Sequence, residues 1–388
     1  MPWKPARPQL PRVIGPTGRS PRPRRRSHVA TVAVGFTLAL AASIGVGRPT
    51  ESVAAATCTT TVNPGSSIQS RVDGAASGAV ICVKAGTYGR FTVRRSNLTV
   101  QAYPGHQVTI TGGSAAWQAG VRVDNASGVT IRGLTVRGNS LGVFLVDARR
   151  AVITGNHITD NAYGIEVHGA TDGTVISANS IRDNDRYLDA SRSAGGINLY
   201  KTRGGIDIRW NKIFGNDQVA VEIYGASDVL IRNNEMNGSN DMIETGTDSS
   251  HRCDRLRVLA NTFSAAALGG RMERGIYLRC ASYASVKDNV FRSLDRFAIG
   301  LYAGGDFAGP LHDVAIARNT VTNGRAFSID STLPSSITID HDRLGRCTAG
   351  TCPAEGNMLA YVAGKGNTTS ISTLRSWTRY EDNGVQTN

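Results

Sequence analysis

The sequence predicts an all-β protein, a single-stranded right-handed parallel β-helix (a solenoid) of roughly ten coils with terminal caps. A six-residue phrase with Asn at its fourth position recurs along the chain, and strand-like runs of period two lie between its copies. No segment after residue 56 shows a sustained 3.6-residue apolar period. Because so short a repeat cannot bury its apolar face alone, the coils must stack and share one core.

In each phrase an apolar residue precedes Asn by three positions, and a second apolar residue follows it by two. The Asn residues are Asn156, Asn179, Asn211, Asn234, Asn261, Asn289 and Asn319, with spacings of 23, 32, 23, 27, 28 and 30 residues. Stacked Asn side chains can hydrogen-bond between coils. Gly and Asn also suit corners that need left-handed backbone angles. A leucine-rich repeat would require a Leu-x-x-Leu-x-Leu phrase, which the sequence lacks.

Strand-like runs occupy residues 164–168, 196–200, 220–224, 275–279 and 298–302. Ile165 and Val167 are predicted to point into the core, so Glu166 and His168 point outward. Stacking then predicts two outward columns. The first contains Arg122, Phe144, Glu166, Asn198, Glu222, Glu244, Tyr277 and Gly300, and the second contains Asp124, Val146, His168, Tyr200, Tyr224, Gly246, Arg279 and Tyr302.

Residues 1–56 are predicted to be a signal peptide with a basic n-region. Arg24, Arg25 and Arg26 precede the uncharged run 29–46, and Ala54–Ala56 offers a cleavage site. An uncleaved membrane anchor is the alternative, because an uncharged run of 18 residues could barely span a bilayer. Residues 57–340 are predicted to form the β-helix and residues 341–388 a C-terminal cap or tail.

The basic charge belongs mainly to the targeting segment. Residues 1–56 contain nine Lys or Arg and one acid, so their removal lowers the net charge from +13 to about +5. With no basic stripe or aromatic RNA motif, the sequence favours no nucleic-acid partner. We expect a secreted, extracellular monomer that has no stable membrane insertion after signal cleavage.

Six cysteines in an apparently secreted chain predict disulfides. Cys253 and Cys280 lie 27 residues apart, which matches the local coil period and predicts a staple between coils. Two further pairs are expected, one at each end of the solenoid: Cys58 with Cys82, and Cys347 with Cys352. A metal site is the alternative, but no Cys-x-x-Cys pair is present.

Residues 60–340 resemble the secreted β-helix proteins of the pectate-lyase-like superfamily. The resemblance includes the opening stretch 64–69, then Gly86-Thr87-Tyr88 and Leu98-Thr99-Val100. It implies the fold more strongly than the reaction, because one architecture hosts many functions. The column of Asn198, Glu222 and Glu244 also resembles in part the metal site of β-helix alginate and chondroitin lyases. That likeness implies Ca²⁺ bound by these residues and β-elimination on an acidic, uronate-containing polysaccharide.

The match to those lyases is incomplete. Their second Glu lies two residues after the first, where this chain has Tyr224, and their catalytic Lys has no clear counterpart. His168, Lys201 and Arg279 are therefore candidates for the base. Independently of the resemblance, Glu222 and Glu244 are predicted to lie ~4.8 Å apart on adjacent coils, a spacing at which like charges disfavour each other unless a cation, a shared proton or a charged partner intervenes.

Other chemistries remain open for the same columns. Paired carboxylates could hydrolyse a glycosidic bond, with Glu222 and Glu244 at the separation of retaining enzymes. Alternatively, the columns could form a glycan-binding or cell-surface module without catalysis, or a plain solvated surface. In either glycan interpretation, aromatic faces beside acids suit sugar rings. The predicted substrate-binding residues are Glu166, Tyr200, Tyr224, Tyr277 and Tyr302.

Overall fold

The computed structural model describes residues 57–185, 195–248, 251–265, 274–294, 296–304, 307–329, 333–334, 336–345, 358–378 and 380–387. The predicted signal peptide and the predicted Cys347–Cys352 pair lie outside these residues. Neither helix in the described part has the length and apolar character to cross a membrane.

The first half of the described chain contains one helix and 18 strands. They are β1 (Thr60–Val62), α1 (Ile68–Gly74), β2 (Val80–Val83), β3 (Gly86–Gly89), β4 (Phe91–Val93), β5 (Thr99–Ala102), β6 (Val108–Thr111), β7 (Ala119–Asp124), β8 (Thr130–Arg132), β9 (Thr135–Arg137), β10 (Leu141–Val146), β11 (Val152–Thr154), β12 (His157–Thr159), β13 (Tyr163–Ala170), β14 (Thr174–Ser177), β15 (Ser180–Arg182), β16 (Gly195–Arg203), β17 (Ile206–Arg209) and β18 (Lys212–Phe214).

The second half contains the other 18 strands and one further helix. They are β19 (Val219–Tyr224), β20 (Val229–Arg232), β21 (Glu235–Asn237), β22 (Asp241–Gly246), β23 (Arg257–Leu259), β24 (Thr262–Ser264), β25 (Arg274–Leu278), β26 (Ala281–Lys287), β27 (Val290–Arg292), β28 (Ile299–Leu301), β29 (Leu311–Ala317), β30 (Thr320–Thr322), β31 (Phe327–Ile329), β32 (Thr338–Asp340), β33 (Arg343–Gly345), β34 (Ala360–Val362), β35 (Gly366–Thr368), α2 (Ile371–Thr378) and β36 (Val385–Thr387).

The strands form three sheets of 12 strands each. Each full coil contributes one strand to sheet A, then one to sheet B, then one to sheet C, as β11, β12 and β13 do. Neighbouring strands are parallel except at the end of sheet C, where β34 pairs antiparallel with β35. The predicted right-handed parallel β-helix is confirmed, with slightly more turns than the roughly ten predicted.

The apolar residues of the phrases fill the shared core. Ile153, Ile158 and Ile165, one from each sheet of the same coil, are completely buried. Farther along, Phe263 and Phe291 stack on successive coils with ring centroids 4.7 Å apart. This continuous core is what a short repeat gains by stacking.

The phrase Asn residues form a hydrogen-bonded ladder between sheets A and B. Asn179 Oδ1 accepts hydrogen bonds from both the backbone N–H and the Nδ2 of Asn156, at 2.9 and 3.0 Å. Asn179 Nδ2 donates to the Ile153 carbonyl at 2.8 Å, and the same arrangement links Asn211 to Asn234. Each buried side chain therefore satisfies main-chain groups that the corner would otherwise leave unpaired.

The left-handed angle at this corner lies on the residue before each phrase Asn. Gly155 has a φ of 64°, Ala178 a φ of 54°, and Trp210 a φ of 55°. The phrase Asn residues themselves have no positive φ, but Gly155 and Asn233, each directly before a phrase Asn, do, as expected of Gly and Asn at such corners. A left-handed non-Gly residue costs roughly 1–2 kcal/mol, which the ladder bonds offset.

A second Asn ladder lies between sheets B and C. Asn161 Oδ1 accepts from the N–H and Nδ2 of Asn139, and Asn184 Oδ1 accepts in the same way from Asn161. Asn216 continues the column. The sequence signal is an Asn five residues after the phrase Asn, as in Asn156 and Asn161. This ladder fixes the corner directly before the sheet C strands that carry the predicted site.

Both predicted disulfides that fall in the described residues are present. Cys58–Cys82 and Cys253–Cys280 each have a Cα–Cα distance of 5.6 Å. The first joins the segment before β1 to β2. The second joins successive coils and holds the turn that follows β25, directly after Arg279.

Two short helices close the ends of the solenoid. The absence of a sustained 3.6-residue apolar period in the sequence had predicted neither of them. In α1, Ser67 is the N-cap, and Ile68 and Val72 join the core. The Gln69 side chain bonds both backbone groups of Thr92 on the edge strand β4, much as another strand would. At the other end, β33 and β36 extend sheet B beyond residue 340, and Leu374 of α2 is buried.

The phrase ladder ends on a pair of buried carboxyl groups. Asp342 Oδ1 accepts from the backbone N–H and Nδ2 of Asn319, and the Asp342 N–H donates to Glu381 Oε2 at 3.2 Å. Asp342 Oδ2 and Glu381 Oε1 are buried with no hydrogen-bond partner in the described part of the chain. Burial raises the pKa of Glu381 to about 9, and the negative charge of the neighbouring Asp342 carboxyl group adds to this rise. Burial also raises the pKa of Asp342.

We expect Asn211→Ala to destabilise the solenoid by roughly 3 kcal/mol or more. The change removes the acceptor of the Asn179 N–H and the donor to the Ile176 carbonyl, and each buried unpaired group costs about 1–3 kcal/mol. Guanidinium unfolding measures the loss. Asn237→Ala is the control, since this half-buried Asn ends β21 outside the ladder. Equal midpoints for the two variants would contradict a stabilising ladder.

We expect Asp342→Asn to stabilise the C-terminal cap at alkaline pH. A raised carboxyl pKa gives stability that is complete below the unfolded value and is lost as pH rises through the folded value, here between about 4.5 and 9. Asn keeps the acceptor for Asn319 and removes the second negative charge. Thermal unfolding from pH 5 to pH 9 should show a falling Tm for the native chain and a flatter profile for the variant.

The matched change Asp342→Ala also removes the charge, but it leaves Asn319 without its acceptor. It should lower the Tm throughout the pH range. Parallel pH profiles for the native chain and Asp342→Asn would show that the carboxyl pair does not control the cap.

Candidate functional site

The outer face of sheet C carries the strand residues of the predicted columns in the predicted register. Glu166 pairs with Asn198, Asn198 with Glu222, Glu222 with Glu244, and Glu244 with Tyr277. In the second column His168 pairs with Tyr200 and Tyr200 with Tyr224. The period of the Asn phrase is therefore sufficient to place these residues on successive coils.

A column of glycines lies under this face and allows a close approach of the backbone. A Cβ at Gly164 would lie 2.5 Å from the Gly196 carbonyl oxygen and 3.0 Å from Asn184 Nδ2. Only glycine therefore lets the second Asn ladder and the sheet C strands approach so closely. The side chains two and four residues later, Glu166 and His168, are positioned by this contact.

Glu166 and His168 form a carboxylate–imidazole pair. His168 Nε2 lies 2.6 Å from Glu166 Oε1, and Asn198 Nδ2 donates to Glu166 Oε2 at 2.9 Å. Glu166 is 0 % exposed, whereas the His168 side chain is 23 % exposed. The sequence analysis places Glu166 among the glycan-contacting residues. Its burial instead leaves it to orient His168, and this part of the column faces outward without reaching solvent.

An aromatic row continues from His168 along the second column. Its ring lies 5.1 Å from that of Tyr200, and Tyr200 stacks on Tyr224 at 5.4 Å with an interplanar angle of 9°. Phe307 extends the row, 6.0 Å from Tyr224. It occupies the space beside Gly246, which has no side chain. The sequence analysis did not identify Phe307. The feature that could have predicted such a residue is Gly246, a column position without a side chain, followed later by an insertion.

Lys201 is an ion-paired cation beside this row. Its Nζ lies 2.6 Å from Asp248 Oδ2 and 5.2 Å from the Tyr200 ring centroid. Burial lowers the pKa of Lys201, but Asp248 and Tyr200 outweigh burial, so the pKa is raised. Burial also raises the pKa of Tyr224, which keeps its hydroxyl protonated. Both groups therefore suit substrate binding better than proton abstraction.

A second group of predicted residues surrounds Glu244. Arg279 Nη1 lies 3.2 Å from Glu244 Oε1, and Arg279 also approaches the rings of Tyr277 and Phe307. Tyr302 packs against Tyr277 with a centroid distance of 6.2 Å. Since a guanidinium does not deprotonate, Arg279 is a charge partner rather than a base. The structure thus places Glu222 between the Glu166–His168 pair and the Glu244–Arg279 pair.

A third outward column contains Asp241 and Arg274, which the sequence analysis missed because it followed only two columns. Arg274 Nη2 lies 2.5 Å from Asp241 Oδ2, and Asp241 Oδ1 is buried without a partner among the described residues. Burial, followed by the charge of Glu244, raises the pKa of Asp241 to about 7 despite the two arginines nearby. A carboxyl group near Glu244 therefore exchanges its proton around neutral pH.

The predicted calcium ligands provide only some of the oxygen atoms that would coordinate the ion. Asn198 Oδ1 is buried and has no hydrogen-bond partner in the described part of the chain. Glu222 follows it on the next coil, but Glu244 is shared with Arg279. Among the described residues no group of three His, Cys, Asp or Glu is placed to hold a metal ion. The unpaired amide oxygen is the feature that fits a cation, which would sit between Asn198 and Glu222.

Solved structures with similar folds include a pectate lyase, a polygalacturonase and a surface adhesin. Pectate lyase Pel9A shares 12% identity, with 81% of this chain and 82% of that chain covered and a TM-score of 0.51. Polygalacturonase from Erwinia carotovora ssp. carotovora shares 12% identity, with 74% and 92% covered and a TM-score of 0.57. PfbA, a surface adhesin of Streptococcus pneumoniae, shares 10% identity, with 77% and 88% covered and a TM-score of 0.51.

Identities this low establish the fold alone. No curated protein sequence matches the chain. The family described as "Right handed beta helix region" matches residues 78–236, 119–272 and 195–372. These overlapping matches span most of the described solenoid, and the chain therefore belongs to the right-handed β-helix family.

Proposed function

We propose that the protein is a secreted polysaccharide lyase that cleaves an acidic, uronate-containing glycan by β-elimination on the outer face of sheet C. The observation that carries the proposal is the Glu166–His168 pair: a buried carboxylate 2.6 Å from a partly exposed imidazole, next to stacked tyrosines. A histidine oriented by a carboxylate is a common general base. The fold similarity to pectate lyase Pel9A is compatible with this chemistry.

His168 is the best-placed base among the three candidates. When Nε2–H donates to ionised Glu166, the other ring nitrogen carries the lone pair that can accept a proton. Lys201 is held charged by Asp248, and Arg279 stays protonated. In the proposed step His168 removes the proton next to the uronate carboxylate, and the C–H electron pair forms a double bond in that sugar. The bond to the leaving sugar breaks, and the leaving oxygen takes up a proton from water to become a hydroxyl group.

The neighbouring side chains supply binding and charge. Tyr200 and Tyr224 present an aromatic surface of the kind that packs against the apolar face of a sugar ring. Lys201 is a cation placed to pair with the substrate carboxylate. Ca²⁺, if bound, would be held by Asn198, Glu222 and Glu244 and would supply the same neutralisation of the carboxylate. Tyr277 and Tyr302 would contact sugars on the far side of Glu244.

Glycoside hydrolysis is a second candidate, favoured by Asp241. A general acid needs a raised pKa, and that of Asp241 is about 7. Glu222 and Glu244 lie on adjacent strands, near the ~5–5.5 Å separation of retaining enzymes. Against this candidate, Asp241 is only 4 % exposed and is paired with Arg274.

Product analysis on oligogalacturonate, alginate and chondroitin separates these candidates. Lyase activity produces ultraviolet absorbance from an unsaturated uronate, whereas hydrolysis releases reducing ends without that absorbance. We expect the absorbance, and we expect His168→Ala to reduce its rate by ~10²-fold or more. Glu166→Gln should also lower kcat, because the neutral amide holds the imidazole less well.

His157→Ala and Glu235→Gln are the matched controls, since both residues lie on sheet B. They should retain the native rate. Reducing ends alone would replace the proposal with hydrolysis, and glycan binding without either product would leave a non-catalytic module.

We expect Ca²⁺ to raise the Tm if the Asn198–Glu222 position binds it. A ligand at 100 times its Kd stabilises a protein by about 2.7 kcal/mol. Glu222→Gln should abolish the shift and Glu235→Gln should keep it. An unchanged Tm in saturating Ca²⁺, together with full activity in a chelator, would contradict a role for the metal. Neutralisation of the substrate carboxylate would then be assigned to Lys201.

A further inference from the structure

A polar pocket of about 350 Å³ lies beside the candidate site, at the corner between sheets C and A. It is lined by the last residues of β16 and by residues that follow β16, β19 and β22, including Arg203, His251, Arg252 and Arg255. The pocket is outside all three outward columns, and the proposed cleavage step uses none of these residues. Its volume falls in the range of sites that hold small ligands, roughly 300–1,000 Å³.

The pocket has two arginines in excess of its acids. Asp228 is its acidic residue, and its carboxylate accepts two hydrogen bonds from Arg255, at 2.5 and 2.6 Å. Arg203 and Arg252 are exposed, and within the described residues neither guanidinium has a carboxylate partner. Two uncompensated guanidinium groups around one concave surface favour an anion, because each can bind an oxyanion through two parallel N–H groups.

Glycines create the space. Gly225 has a φ of 61°, and a Cβ there would lie 2.7 Å from the His251 Cβ. Gly204 has a φ of 94°, and a Cβ there would collide with the Asp172 carboxylate. A side chain at either corner would strain the backbone and push aside the residues that line the pocket.

The pocket adjoins the candidate site through three side chains. His251 Nδ1 lies 2.8 Å from Asp248 Oδ1, and Asp248 Oδ2 lies 2.6 Å from Lys201 Nζ. Lys201 in turn lies beside the Tyr200 ring. A glycan lying over Tyr200 and Tyr224 therefore has a neighbouring sugar within reach of Arg203 and Arg252.

We propose that Arg203 and Arg252 form an anion subsite that binds a carboxylate or sulfate ester on a sugar adjacent to the one at the tyrosines. This subsite rests on the proposed function in one respect, namely that the ligand is a glycan. It does not require that the protein cleaves that glycan. It names the substrate class more narrowly: a chain with anionic substituents on neighbouring sugars rather than a single isolated uronate.

Binding of three oligosaccharides tests the subsite. Oligogalacturonate carries only carboxylates, dextran sulfate only sulfates, and dextran neither. Calorimetric Kd values are measured for the native chain, for Arg203→Gln/Arg252→Gln, and for the control Arg292→Gln/Arg343→Gln. The control removes the same charge from exposed positions on sheet B.

We expect the pocket variant to bind at least one anionic oligosaccharide roughly tenfold more weakly, as two exposed charge pairs of up to ~1 kcal/mol each imply. The control should bind as the native chain does. The oligosaccharide that loses affinity identifies the substituent as carboxylate or sulfate. Equal Kd values for the two double variants on both anionic ligands, or native binding of dextran as tight as of its sulfated form, would overturn the subsite.

The two proposals fail in different ways. If the lyase assignment is wrong and the subsite is right, no unsaturated product forms, yet the pocket variant still loses affinity. If the subsite is wrong and the lyase assignment is right, product forms and the pocket variant binds and cleaves as the control does. Matching Tm values for the two double variants show that a loss of affinity is not a loss of fold.

Discussion

The structure depends on the hydrogen bonds of the buried asparagines. From Asn179 onward, each phrase Asn Oδ1 accepts from both the backbone and the side chain of the preceding phrase Asn, while its own Nδ2 donates to a carbonyl of the preceding coil. A sharp corner leaves main-chain groups without strand partners, and in a buried place each such group is costly. The amide side chain has both a donor and an acceptor, so it can pair with the N–H and C=O groups of the corner. The same set of hydrogen bonds is then repeated in the next coil. Register is therefore enforced from coil to coil.

That enforced register explains the electrostatics of the outer face. Strands ~4.8 Å apart bring like-charged side chains close enough to repel by ~3 kcal/mol at an effective dielectric of 20. The structure compensates with local partners: His168 and Asn198 for Glu166, and Arg279 for Glu244. Asp241 is compensated by Arg274 and by a raised pKa. A face that holds several acids in fixed positions, each with a neighbouring donor or cation, is suited to charged and hydroxyl-rich ligands.

The ends of the solenoid show what happens when the ladder has no further coil. At the N-terminal end the Gln69 side chain substitutes for a strand against Thr92. At the C-terminal end Asp342 takes the place of an asparagine, and Glu381 from the last segment packs against it. The Asp342 carboxyl group accepts as the amide oxygen does, but two buried carboxyl groups side by side cannot both ionise cheaply, so the position that ends the ladder becomes sensitive to pH.

The sequence by itself determined the fold, the register of the sheet C strands and the Cys253–Cys280 disulfide, because these follow from the spacing of one repeated phrase. The Cys58–Cys82 disulfide was predicted separately, as a link at the N-terminal end of the solenoid. The sequence could also have revealed the second ladder, since Asn161 follows Asn156 at the same distance as Asn184 follows Asn179. The tertiary structure alone decided which outward residues reach solvent. Glu166 is covered and orients His168, while Phe307 fills the gap at Gly246. Ion pairing, burial and insertions that fold back depend on contacts between coils, and a periodic pattern carries no information about them.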